Sequence, residues 1–184
     1  KDVSSLMGRC QLSLGKTPKE IASLSTPDRL NRVKEGKVDV GLEELLFQYG
    51  RYMLISSSRP GSLPANLQGV WNPYIQAPWQ ADFHLNINLQ MNYWPAEVTN
   101  FAQCHEPMLE YRQKLLPAGQ MRAKALGVNG FCTGHAVDAW ACTALMSPRT
   151  LWGGNMMNGS WGVSHLIEHY RYNEDENFLR KAWP

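Results

Sequence analysis

The chain has 184 residues, 43% of them apolar and 18% charged. Eighteen basic against sixteen acidic residues leave a net charge of +2, too little for the basic face of a nucleic-acid binder. The apolar share excludes disorder, and no apolar run approaches the roughly 20 residues of a membrane-spanning helix.

Residues 1–40 read as a connector leading into the domain that follows. Within it, Ser25-Thr26-Pro27-Asp28 opens a helix, with Pro at or near the first position. Leu42, Leu45, Leu46, Tyr49, Tyr52 and Met53 then recur at i, i+3, i+4 and i+7, which predicts a helix with one buried face. Arg59-Pro60-Gly61 ends it. Residues 60–82 hold Pro60, Pro64, Pro73 and Pro78 with Gly61 and Gly69, so no regular element fits there. Trp71, Tyr74 and Trp79 make this an ordered loop, and a loop of about 20 residues in a compact domain is commonly functional.

Further helices are predicted near 89–101 and 106–125, followed by a loop-rich stretch over 127–160. Val163, Leu166, Ile167 and Tyr170 mark a fourth apolar helix face, and Asn173 with Glu176 resembles a capping box for a fifth helix. The fold class is therefore all-α with long aromatic loops. The four cysteines, Cys10, Cys104, Cys132 and Cys142, form no C-x-x-C pair and read as buried thiols. Cys132 and Cys142 are the pair open to bridging in an oxidising compartment. The chain starts at Lys1 without a signal-peptide pattern and stops in an amphipathic helix, so it reads as part of a larger domain.

The chemistry concentrates in Phe83-His84-Leu85-Asn86-Ile87-Asn88-Leu89-Gln90, which alternates strictly. Period two predicts extended backbone, with His84, Asn86, Asn88 and Gln90 on one face and the apolar residues on the other. An uncharged face of amides and imidazole beside an aromatic loop suits a neutral polyhydroxylated ligand; a strand facing water is the plainer alternative. Trp71 and Trp79, in the irregular loop, can stack on the C–H face of a sugar, whereas Trp94, Trp140, Trp152 and Trp161 read as core. His135 and Asp138, three apart, form either an acid/base pair or a structural one. His165-Leu166-Ile167-Glu168-His169 fits H-x-x-E-H, in which two histidines one turn apart bind zinc and the glutamate is the general base. That pattern is short and lacks a third ligand, so it stays a minor alternative. Phosphate-loop, dinucleotide and nucleophile-elbow signatures are absent.

Three blocks together resemble glycoside hydrolase family 95, the inverting α-L-fucosidases. The first runs from Phe47-Gln48-Tyr49-Gly50-Arg51-Tyr52 through Ser56-Ser57-Ser58-Arg59-Pro60-Gly61 to Leu63-Pro64-Ala65-Asn66-Leu67-Gln68-Gly69-Val70-Trp71-Asn72. The second is Asn86-Ile87-Asn88-Leu89-Gln90-Met91-Asn92-Tyr93-Trp94-Pro95-Ala96-Glu97, and a weaker third covers Gly159 to Tyr170 with Phe178-Leu179-Arg180. The resemblance implies that residues 41–184 are the N-terminal part of an (α/α)6 barrel, about the first half of the toroid. It implies hydrolysis of terminal α-1,2-linked L-fucose with inversion, without a cofactor. In that family two asparagines of an N-x-N segment orient the attacking water, and Asn86 and Asn88 match them; His84 matches a sugar-contacting histidine. Trp71, His135 and Asp138 are further candidates for the cleft or its support. Block 130–140 departs from the family pattern at Gly134 and Ala136, which stand where polar residues are common. The resemblance places the general-acid Glu and the partner Asp beyond residue 184. It makes a fucosylated glycan the partner and suggests a secreted, periplasmic or cell-surface location. An α-L-galactosidase, a non-catalytic sugar-binding module and the zinc hydrolase of His165, Glu168 and His169 are the alternatives.

Overall fold

The computed structural model describes residues 2–143 and 157–182; Trp152 and part of the stretch over 127–160 predicted to be loop-rich lie outside them. The chain is mostly helical and divides into two compact units, 1–53 and 54–184. No helix among the described residues is long and apolar enough to cross a membrane.

The first unit holds α1 (Asp2–Met7), α2 (Lys19–Ala22), α3 (Thr26–Lys34) and most of α4 (Val40–Ser57). The α3 start follows the expectation: Ser25 Oγ accepts the Asp28 N–H, and Pro27 sits in the first turn. Helix α4 begins where the connector was expected to end. Asp39 opens it by accepting the Leu42 N–H at 3.0 Å while Arg29 grips its carboxylate at 2.7 and 2.9 Å. The apolar stripe of α4 does not form the expected buried face. Leu45, Leu46, Tyr49 and Tyr52 are exposed, whereas Arg51 is buried and donates to the carbonyls of Leu6 and Met7 at the end of α1 and of Cys10 beyond it. The last carbonyls of a helix run short of backbone donors, and a guanidinium supplies several at once.

The second unit is built on α5 (Asn88–Val98), α6 (Ala102–Ala125) and α7 (Asn158–Asn173), which pack on one another pairwise; α8 (Glu176–Ala182) leans on α7. Leu89, Tyr93 and Ala96 of α5 and Met108, Leu109, Tyr111 and Leu115 of α6 fill the core. Tyr93 is tied in by its hydroxyl, which meets Ser58 Oγ at 2.7 Å and accepts the Ala65 N–H at 2.8 Å. The predicted apolar face of α7 is a second correction. Val163 and Ile167 are exposed, while Gly162, His165 and His169 are buried. A Cβ on Gly162 would collide with the Arg112 guanidinium, so that position admits no side chain without repacking. The start of α8 is capped by Asp175, whose carboxylate accepts the N–H of Asn177 and Phe178, and not by Asn173. All four cysteines are thiols; Cys104 and Cys132 are buried, but Cys142 is exposed, contrary to expectation.

Residues 60–82 are irregular as predicted, closing on a tight turn at Pro78–Ala81. In it Trp79, Gln80 and Ala81 adopt φ of 53°, 58° and 49°, three left-handed residues in succession without a glycine. Each costs about 1–2 kcal/mol relative to the right-handed form. A two-residue antiparallel ladder follows, pairing β1 (Phe83–His84) with β2 (Ala136–Val137) in the register Phe83↔Val137 and His84↔Ala136.

Candidate active site

The alternation at 83–90 is strand only for its first two residues. Leu85–Ile87 form a turn and α5 starts at Asn88. Gln90, expected on the polar face, is buried and donates its amide to the Leu85 carbonyl at 2.5 Å, while Ile87, expected in the core, is 37% exposed. The turn outcompetes the strand because Gln90 and the Met91 N–H, bonded to Ile87 O at 2.8 Å, satisfy the carbonyls that a ladder would otherwise need.

His84, Asn86 and Asn88 nevertheless line one cleft, of about 340 Å³, together with Leu67, Gln68, Pro78 and Trp79. The turn, not strand pleating, brings them together. Asn86 Oδ1 is buried and has no hydrogen-bond partner among the described residues. A buried carbonyl oxygen in that state costs about 1–3 kcal/mol unless something in the cleft bonds to it. Trp79 presents an indole that is 67% exposed, with its ring edge-on to His84 at 5.8 Å. Behind His84 lies Asp82, buried, with its carboxylate hydrogen-bonded to His84 Nδ1. Burial pushes the Asp82 carboxyl up, and the neighbouring His84 and His135 pull it part of the way back.

The remaining candidates lie around this cleft. The His135 ring stands perpendicular to His84 at 5.3 Å, and its carbonyl accepts the Leu85 N–H. Asp138 spends its carboxylate on the N–H groups of Trp140 and Cys142, both at 3.0 Å, and so shapes its own loop. Trp71 does not line the cleft. Its ring lies over Gly69, whose φ of 66° and missing Cβ make room for it. Sequence reasoning missed Asp82, although an acid two residues before His84 on extended backbone shares its face.

Comparison with known proteins adds family to geometry. Residues 1–184 match the model of the glycosyl hydrolase family 95 catalytic domain. The chain belongs to glycosyl hydrolase family 95. It is 43% identical over 184 residues to "Alpha-L-fucosidase 2" of Arabidopsis thaliana, covering 98% of this chain and 22% of that protein. It is 44% identical over 149 residues to "Probable alpha-fucosidase A" of Aspergillus oryzae, covering 78% and 20%. The same-named protein of Aspergillus niger is 38% identical over 147 residues, covering 78% and 18%. The chain thus spans about a fifth of the length of these curated relatives.

This family 95 chain carries a second cluster, between α5, α6 and α7. Glu97 Oε1 meets His105 Nδ1 at 2.7 Å and His169 Nδ1 at 2.6 Å, and Asn173 donates to Oε2 at 3.0 Å. His105 Nε2 in turn meets His165 Nδ1 at 2.9 Å. Burial alone would raise the Glu97 carboxyl, but the hydrogen bonds from both histidines outweigh it and draw it down to about 2. Burial, with His105 and Arg112 nearby, lowers His165 to about 3, so it stays neutral. A carboxylate only accepts, so His105 carries its proton on Nδ1 and receives the His165 N–H on Nε2. The H-x-x-E-H reading does not assemble as expected. Glu168 faces solvent near Arg171, and His165 turns to His105. The donor set that does converge is Glu97, His105 and His169, whose ligand atoms lie within 4.8 Å of one another and are closed on each other by hydrogen bonds.

Proposed function

We propose that this chain is the N-terminal part of an (α/α)6 catalytic domain that removes terminal α-1,2-linked L-fucose from glycans with inversion. The observation that carries this reading is that Asn86 and Asn88 line one cleft with His84. An inverting hydrolase holds a water on the sugar face opposite the leaving group, between two carboxyl groups about 6.5–9.5 Å apart. Amide carbonyls accept hydrogen bonds from such a water and orient it, but are poor bases. Asn86 and Asn88 therefore position the nucleophile, and the partner Asp and the general-acid Glu come from the longer chain, beyond residue 184. His84 bonds a sugar hydroxyl, and the exposed indole of Trp79 offers a surface for the apolar face of the ring. The names of the relatives support fucose as the sugar. Exposed apolar side chains such as Leu46, Val98 and Met121 support a segment that packs within a larger barrel, inactive by itself.

A proton NMR time course of the full-length protein acting on 2′-fucosyllactose tests this. Release of β-fucose first is expected, and its loss in Asn88→Gly. Release of α-fucose first would sink the inverting mechanism. Turnover of an α-L-galactoside alone would change the sugar, and binding without turnover would leave a sugar-binding module.

A further inference from the structure

We infer that Asp82 is a positioning residue for this cleft: its carboxylate keeps the His84 proton on Nδ1, so that Nε2 addresses the cleft as an acceptor for a sugar hydroxyl. The inference rests on the sugar-cleft reading above and adds to it which atom of His84 acts, and why.

Four observations carry it. The Asp82 carboxylate touches Nδ1, and both side chains are buried, so little water competes for that nitrogen. An ionised carboxylate has no proton to give, which places the hydrogen on the imidazole. The ring is held in plane by two others, Trp79 at 5.8 Å and His135 at 5.3 Å, each nearly perpendicular to it. The backbone on both sides is pinned, since Leu67 donates to the Asp82 carbonyl at 3.1 Å and His84 pairs with Ala136. Among the described residues Nε2 has no protein partner, and His84 lines the cleft. A side chain fixed at one nitrogen and open at the other is the arrangement by which an orienting carboxylate sets a histidine's hydrogen-bonding sense.

The test is magic-angle-spinning ¹⁵N NMR of the full-length protein labelled at histidine, with His84 assigned by its disappearance in His84→Gln. The wild type is expected to show a protonated Nδ1 and a bare Nε2. Asp82→Ala is expected to shift the proton toward Nε2 and to raise KM for a fucosyl substrate about tenfold, the worth of one hydrogen bond, with kcat little changed. Asp82→Asn, whose amide oxygen still accepts from Nδ1, is expected to restore both the signature and KM. In a His84→Gln background, Asp82→Ala should add no further loss, because the two act as one unit. A proton on Nε2 in the wild type overturns the inference, as does full additivity of the two variants. Should Asp82→Ala fail to fold, the wild-type and Asp82→Asn spectra decide. The spectra need no turnover: the Nδ1 signature without fucose release sinks the fucosidase reading alone, and release with the Nε2 signature sinks the role of Asp82 alone.

Discussion

Two histidine–carboxylate clusters in this molecule use the same side chains to opposite ends. At the cleft, Asp82 and His84 sit in a turn-rich segment, and the neighbouring Asn86 oxygen is left without a partner. Between α5, α6 and α7, Glu97, His105, His165, His169 and Asn173 are joined by hydrogen bonds, and both Glu97 oxygens accept from protein side chains. A closed network fixes three helices against one another. An open one stores an unmet hydrogen bond that a bound molecule can relieve. Chemical identity of the residues therefore says little about role; the tally of satisfied atoms says more.

The contrast predicts where substitutions act. Glu97→Ala should have the largest effect, about 3–5 kcal/mol of stability by denaturant titration, because it strands the buried donors of His105 and His169. Its pH dependence has a definite sign. The Glu97 carboxyl lies at about 2 in the fold against an ordinary 4.5. Its stabilisation is complete above that ordinary value and fades as pH falls from there toward the folded value. Acid denaturation of Glu97→Gln should lack this component. Asn86→Ala should do the reverse, lowering kcat about 10²–10³-fold with no loss of stability, because it removes a buried oxygen that has no partner among the described residues. A large stability loss there would erase the distinction. Gly162→Ala should cost about 1–3 kcal/mol by overpacking against Arg112, read as a lowered denaturant midpoint. Smallest is Asp175→Ala, about 1 kcal/mol from a lost helix cap and no change in KM.

The helices and the irregular 60–82 loop were legible because their signals are local: apolar spacing, prolines and glycines. The trio His84, Asn86 and Asn88 was legible as a polar set, although alternation gave a wrong reason for it. The faces of α4 and α7 were misread because periodicity reports which side of a helix is apolar, not what lies against it in this chain; Leu46 is exposed while Arg51 and His165 are buried. The closed cluster was out of reach for a different reason. Its partners stand eight and seventy-two residues from Glu97, and the H-x-x-E-H pattern joins His165 and His169 to Glu168 instead. Asn173 looked like a helix cap because it is an amide placed before an acid, but its side chain was already engaged by Glu97.

The ladder between β1 and β2 is only two residues long, yet it sets the parity of the chain at the cleft. His84 faces the cleft because Phe83 faces the core. Inserting a single residue between Asp82 and Phe83 would exchange their faces, turning the imidazole toward the core and the phenyl ring toward the cleft. Natural variation in length should therefore gather in the loops on either side, at 60–78 and after 138, and leave this junction untouched. Insertions and deletions, more than substitutions, are what this corner of the protein has to exclude.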